Sequence, residues 1–185
     1  MGDFPAQSGA VSQLFVHTGC IPECTQDQMW IATGVSSIAP VVRTWVANLV
    51  TYAPIFIANP YPVKRVFWMN GSTVTSTNAD FGIYTADGVR IYNTGATAMS
   101  GTSAVQYVTP SEFTLDAGLY YFAWSCNGTS NRGMAYGGTA VGGRTIGLLE
   151  ETTVSFGLPA TMTPVAHARS WGAYVCGVTR TSSGF

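Results

Sequence analysis

The side chains in this chain that could do chemistry are few and poorly spaced for it. His17, Cys20 and Cys24 form an H-x2-C-x3-C cluster. Zinc needs about four nitrogen or sulfur ligands in a tetrahedron, and the one further histidine, His167, lies far along the sequence. The cluster therefore reads as a plain loop, and no metal or other cofactor is expected. Cys20 and Cys24 bracket the turn Ile21-Pro22-Glu23 and are candidates for a local disulfide on exposure to oxidant. Cys126 and Cys176 sit in apolar stretches and read as small core residues. Among the acids, a glycosidase would need two carboxyl groups facing each other across a sugar cleft. Glu150 and Glu151 are adjacent and on a strand must point to opposite faces. Glu112 and Asp116 flank one turn, Asp87 belongs to another, and Asp80 reads as a strand-start cap. There is no G-x-S-x-G motif, and the Gly-Gly loops lack the Gly-Lys-Ser/Thr of a phosphate cradle. No catalytic residue is assigned, and the chain reads as non-enzymatic.

Aromatic rings are the remaining resource. Five tryptophans and nine tyrosines could stack on the C–H faces of sugars while tyrosine hydroxyls orient the ligand. Most lie in alternating strand patterns, which favours core or subunit interface instead. The best exposed polar segment is Asn127-Gly-Thr-Ser-Asn-Arg132, with Asn127, Asn131 and Arg132 as candidate ligand or partner contacts. Asn70-Gly-Ser72 and Asn127-Gly-Thr129 are formal glycosylation sequons but read better as turns.

These residues sit in a succession of short strands. Tyr52–Ala58, Val66–Met69, Asp80–Tyr84, Val89–Tyr92, Val105–Thr109 and Leu115–Trp124 are each bounded by Gly, Asn, Asp or Pro, the signature of an antiparallel sandwich. Val11–His17, Gln28–Thr33 and Val41–Val50 also read as strands. Gly133–Tyr136, Thr145–Leu149 and Trp171–Val178 follow, between loops containing Gly137-Gly138 and Gly142-Gly143. Hairpin turns are expected at Asn70-Gly71, Ala86-Asp-Gly88 and Asp116-Ala-Gly118, where glycine supplies positive φ. Asn59-Pro-Tyr-Pro62 cannot lie in a central strand, because proline lacks the ladder N–H. In Leu119–Trp124 both faces are apolar, so this strand is expected to be central, covered by the opposing sheet and by a neighbour. No long amphipathic helix is visible.

Charge is the unusual bulk property. Asp, Glu, Lys and Arg make up 9% of 185 residues, 46% are hydrophobic, and Lys64 is the one lysine. Ordinary soluble domains carry about 25% charged residues. A chain this neutral suits a surface covered by partner subunits. A net charge of −1 leaves no electrostatic footprint for nucleic acid. The apolar runs are too short to span a bilayer, so no membrane partner is expected. Met1-Gly-Asp-Phe-Pro-Ala-Gln lacks a basic segment before an apolar core, which predicts synthesis and assembly in the cytoplasm. The organisation expected is an N-terminal arm with short strands for assembly contacts over 1–44, its first ten residues aperiodic, and a β-sandwich over 45–185.

The stretch Asp80-Phe-Gly-Ile-Tyr-Thr-Ala-Asp-Gly88, then Asn93-Thr-Gly95, then Leu115-Asp-Ala-Gly-Leu-Tyr-Tyr-Phe-Ala123 resembles the jelly-roll modules of virion proteins of tailed bacteriophages. Those modules share a G-I-Y strand, a D-G turn, an N/S-T-G step and an L-x-x-G-x-Y-(Y/W) strand. The likeness runs over roughly residues 50 to 138. It implies an all-β jelly-roll sandwich in a capsid decoration, tail, baseplate or fibre protein. It further implies other virion proteins as partners, a homotrimer, and a virion location after assembly in the host cytoplasm. The function expected is structural, through subunit-subunit burial. The rival of a different class is a module of a tail fibre or spike that binds host glycans. Such a binder should gather two or more of Tyr107, Tyr136, Trp171 and Tyr174 beside Asn127, Asn131 or Arg132 in one concavity.

Overall fold

The computed structural model describes residues 28–30, 40–74, 77–128, 132–137, 147–169, 171–174 and 176–180. The arm at 1–10, the strand expected at 11–17, His17, Cys20, Cys24, Asn131 and the Gly138 and Gly142-Gly143 loops lie outside them. The described residues are all-β: antiparallel strands without a helix.

Sixteen strands follow in chain order: β1 Gln28–Trp30, β2 Pro40–Thr44, β3 Leu49–Ile57, β4 Tyr61–Val63, β5 Arg65–Met69, β6 Asn78–Thr85, β7 Arg90–Asn93 and β8 Thr97–Ala98, then β9 Val105–Val108, β10 Phe113–Leu115, β11 Gly118–Cys126, β12 Arg132–Gly137, β13 Leu149–Thr152, β14 Val165–Ala166, β15 Trp171–Tyr174 and β16 Cys176–Thr179. The main sheet runs β14-β13-β3-β11-β6-β7, with β8 also paired to β6. A second sheet, β1-β16-β5-β9, is joined by a ribbon of β10 and β4 and by a three-stranded β15-β12-β2 sheet. Strands near the start of the chain thus pair with strands near its end, β1 with β16 and β2 with β12.

Period-2 alternation decides which side chains enter the core. On β3, Leu49, Ala53, Ile55 and Ile57 point inward. On β11 Phe122, Trp124 and Cys126 do so, and on β6 Ala79, Phe81 and Ile83. They meet Val66 and Trp68 of β5, Cys176 and Val178 of β16, and Tyr61, Val63 and Leu115 of the ribbon in one apolar cluster. Edge-on ring contacts, Trp45 to Trp124 at 4.4 Å and Phe81 to Phe122 at 5.5 Å, fill its middle. The alternate residues, Val50 and Tyr52 of β3, Tyr84 of β6 and Ala123 of β11, form a smaller outer cluster with Leu158. The strand at 119–124 is central, between β3 and β6. Its outer face packs in part against this chain's own segment 153–163, Ala123 meeting Leu158, while Leu119 stays 41% exposed.

Several local expectations are corrected. Asn70-Gly71 is no hairpin: Asn70 is fully buried at the end of β5, and its N–H donates to the Ala104 carbonyl at 2.9 Å. The peptide wins as a hydrogen-bonding peg what it loses as a turn. Asp116-Ala-Gly118 is a corner between sheets, since β10 pairs with β4 whereas β11 pairs with β3 and β6. The stretch 115–124 is accordingly split between two strands. Val41–Val50 is likewise broken, at residues 45–48, where Asn48 adopts φ 60°. Ala86-Asp-Gly88 is the hairpin expected: Gly88 has φ +78° and its N–H donates to Thr85 at 3.0 Å. Pro62 lies in a two-stranded ribbon, opposite Thr114.

Candidate functional site

The polar chemistry of the described residues concentrates on the outer face of the main sheet, where segment 153–163 is strapped across β3, β11 and β6. Asp80 is its principal anchor. Rather than capping a strand start, Asp80 is the third residue of β6, with its carboxylate buried. It accepts from Asn93 Nδ2 at 3.2 and 3.3 Å, from the Thr94 hydroxyl at 3.2 Å and from the Leu158 N–H at 3.1 Å. The Leu158 carbonyl accepts from Arg90 Nη1, and the Pro159 carbonyl from the Tyr84 hydroxyl at 2.7 Å. Backbone bonds from Arg90 to Ala160 and from Met162 to Gly88, both 2.9 Å, fasten the rest. Gly82 is needed beneath the strap, since a Cβ there would run into Leu158 and approach the Tyr92 carbonyl oxygen to 3.1 Å.

Glu150 and Glu151 diverge as alternation requires. Glu151 points outward and accepts from the Tyr52 hydroxyl at 2.8 Å, the Thr163 N–H at 2.9 Å and the Thr163 hydroxyl at 2.9 Å. The Tyr52 and Tyr84 rings meet edge-on at 5.3 Å. Burial, followed by the charge of the neighbouring tyrosine, raises the Tyr52 hydroxyl well above its ordinary value. Burial also raises Tyr84, against the lowering effect of Arg90. This group is a set of hydrogen bonds that ties β3, β13 and Thr163 together. Beside it residues 151–159 line an open groove of about 420 Å³ whose rim carries the fully exposed Val154.

Glu150 is nearly buried and faces the fully buried His167, with Nδ1 3.0 Å from Oε2. Arg169 Nε lies 3.7 Å from the same oxygen. These are charge contacts by distance, without hydrogen-bond alignment, and His167 contributes a charge only when protonated. His167 therefore packs with Glu150 on the edge of the main sheet. Its Nδ1 neighbour is a carboxylate oxygen, and no group of three or more metal-ligating side chains occurs among the described residues. Cys126 and Cys176 are buried free thiols. Burial pushes Cys126 up to about 12 and Cys176 higher still, which removes thiolate character.

The candidate ligand segment is rearranged. Asn127 is exposed, but its main chain and carboxamide clasp Asn78: Asn127 N–H donates to the Asn78 carbonyl at 3.1 Å, and Asn78 N–H donates to Asn127 Oδ1 at 2.8 Å. Arg132 is not in a loop. It opens β12, opposite Thr44, because β2 extends the ladder that far. Among the aromatics named for a concavity, Tyr107 is half-buried on β9 against Phe67, with the Arg65 guanidinium 5.3 Å above its ring. Tyr136, Trp171 and Tyr174 occupy β12 and β15, two paired strands. Sequence reasoning missed the Tyr52–Glu151–Thr163 group and the Asp80–Asn93–Thr94 group. Both join residues far apart in sequence or ordinary for a turn, so no spacing signal marked them. Comparison with known proteins returns no matching family model and no matching curated protein.

Proposed function

We propose that this chain is a non-enzymatic structural component of a tailed-phage virion, a capsid decoration or tail and baseplate protein of jelly-roll type that acts through subunit-subunit burial. The observation that carries the reading is the use of its strand-borne carboxylates. Asp80, Glu150 and Glu151 are each engaged by partners within the chain, which leaves them to hold the sandwich together. Trp45, Trp68 and Trp124 are likewise buried, where they cannot serve as a sugar platform. Among the described residues the surface also carries some large apolar side chains. Phe56 and Leu119 are register partners on β3 and β11 and are 43% and 41% exposed on the outer face. Covering such side chains contributes about 25 cal/mol per Å², which suits attachment better than turnover. The homotrimer implied by the sequence resemblance fits a subunit of this kind.

Mass spectrometry of purified virions is the test. The chain is expected there in many copies, and its absence would overturn the proposal. Light scattering of the isolated protein at micromolar concentration addresses the trimer separately, with a clean monomer counting against it.

A further inference from the structure

The chain contains two Asn-Gly dipeptides, Asn70-Gly71 and Asn127-Gly128, and the fold treats them in opposite ways. We propose that Asn127 is a site of spontaneous deamidation and isoaspartate formation, while Asn70 is protected from the same reaction. In that reaction the main-chain nitrogen of the following glycine, having lost its proton to solvent base, attacks the asparagine Cγ. A C–N bond forms, the bond from Cγ to Nδ2 breaks, and ammonia leaves with a proton from water. The product is a five-membered succinimide. Water then opens it at either carbonyl, giving aspartate or isoaspartate. No oxidant or cofactor is required. Glycine favours the step because it lacks a Cβ and leaves the backbone free to turn.

At Asn127 the side chain is the accessible partner, whereas Gly128 itself is buried. The carboxamide is exposed to water. Its Oδ1 accepts from the Asn78 N–H at 2.8 Å, a contact that polarises the carbonyl and supports the negative charge that develops on this oxygen during attack. Neither Nδ2 of Asn127, the leaving group, nor the N–H of Gly128, the nucleophile, has a hydrogen-bond acceptor among the described residues. At Asn70 the solvent access and the leaving group differ. The side chain is fully buried, and its Oδ1 accepts from Trp68 Nε1 at 3.1 Å. Its Nδ2 donates to the Ser100 and Gly101 carbonyls at 2.6 and 3.1 Å and to Gln106 Oε1 at 3.1 Å. The leaving group is tied down and water is excluded. Asp87-Gly88, which reaches the same succinimide by loss of water, is restrained differently: the Gly88 N–H already donates to the Thr85 carbonyl.

The consequence falls on the clasp between β6 and β11. The isoaspartate product inserts a methylene into the main chain just after β11, and either product adds one negative charge to a chain whose formal net charge is −1.

The test uses the full-length protein, aged at mildly alkaline pH in native buffer and, in parallel, in concentrated urea. Trypsin separates the two sites into peptides Val66–Arg90 and Ile91–Arg132. Fragment-ion mass spectrometry then distinguishes Asn127 from Asn93 and Asn131, and a protein-isoaspartate methyltransferase labels the isoaspartate. In native buffer Asn127 is expected to deamidate at least about tenfold faster than Asn70, since Nδ2 of Asn70 makes three hydrogen bonds and two ordinary ones together exceed the roughly 1.4 kcal/mol that a factor of ten requires. In urea the two rates should converge. Equal native rates, modification at Asn93 or Asn131 in place of Asn127, or reaction of Asn127 only after unfolding would each overturn the proposal.

Discussion

Replacing Asp80 with alanine should loosen the strap more than any other single truncation of a side chain on β6. The buried carboxylate receives Asn93 Nδ2, the Thr94 hydroxyl and the Leu158 N–H. Without it the Thr94 hydroxyl still reaches the Gly95 carbonyl at 3.3 Å, so two donors are left unsatisfied. Each costs about 1–3 kcal/mol when buried. Removing a buried charge returns part of that as relieved desolvation, and the net expectation is about 3 kcal/mol. For a chain of 185 residues this corresponds to a fall in Tm of roughly 6–12 °C. Thermal unfolding followed by circular dichroism, with urea titration for ΔG, measures it. Asp80→Asn should also destabilise, because one of its two terminal atoms becomes a donor facing donors. Limited chymotrypsin digestion gives a local readout, as cleavage near Phe156 and Leu158 should accelerate in both variants. A change in stability under about 0.5 kcal/mol, the ordinary range for a surface substitution, together with unchanged proteolysis, would refute the claim that Asp80 anchors the strap.

Three further outcomes follow from the same geometry. Burial pushes Tyr92 up to about 12 from the ordinary 10.0, with Asp80 adding to the effect, and raises Tyr52 and Tyr84 further. Because these folded-state values lie above the unfolded one, the stabilisation is complete below pH 10 and is lost as pH rises through about 12. Ultraviolet titration should therefore show tyrosinate appearing together with unfolding, and a separate early transition at these residues would contradict the burial argument. Cys126 and Cys176 should resist a thiol reagent at pH 8 until denaturant is added, with peptide mapping as the check. Gly82→Ala should destabilise by about 1–3 kcal/mol, because its Cβ collides with Leu158 and crowds the Tyr92 carbonyl; urea unfolding measures the loss.

Much of the fold was legible because strand periodicity is local. The expected strands at Tyr52–Ala58, Val66–Met69, Asp80–Tyr84 and Val105–Thr109 coincide closely with β3, β5, β6 and β9. Ala86-Asp-Gly88 could be read as a hairpin because positive φ is a property of a few residues. Asn70-Gly71 carries the same signal and does something else, since its carboxamide finds four hydrogen-bond partners that the sequence places at residues 68, 100, 101 and 106. A dipeptide cannot announce partners thirty residues away. Asp116-Ala-Gly118 failed as a hairpin for a related reason: a turn signal says that the chain reverses, not which strand it meets afterwards.

The divergence of Glu150 and Glu151 follows from adjacency alone, because successive strand residues face opposite ways. That the first would meet His167 and the second Tyr52 and Thr163 was set by the register of β13 against β3 and by where the strap crosses the sheet. The sequence determined that this chain would be an all-β protein with apolar strands, buried rings and few charges, since those properties belong to short windows and to composition. Tertiary structure decided which carboxylates are buried, which asparagine of two identical Asn-Gly pairs is exposed, and that part of the outer face of β11 packs against residues 153–163 of the same chain. Those outcomes depend on contacts across long sequence separations, where loop closure leaves many pairings open and packing selects one.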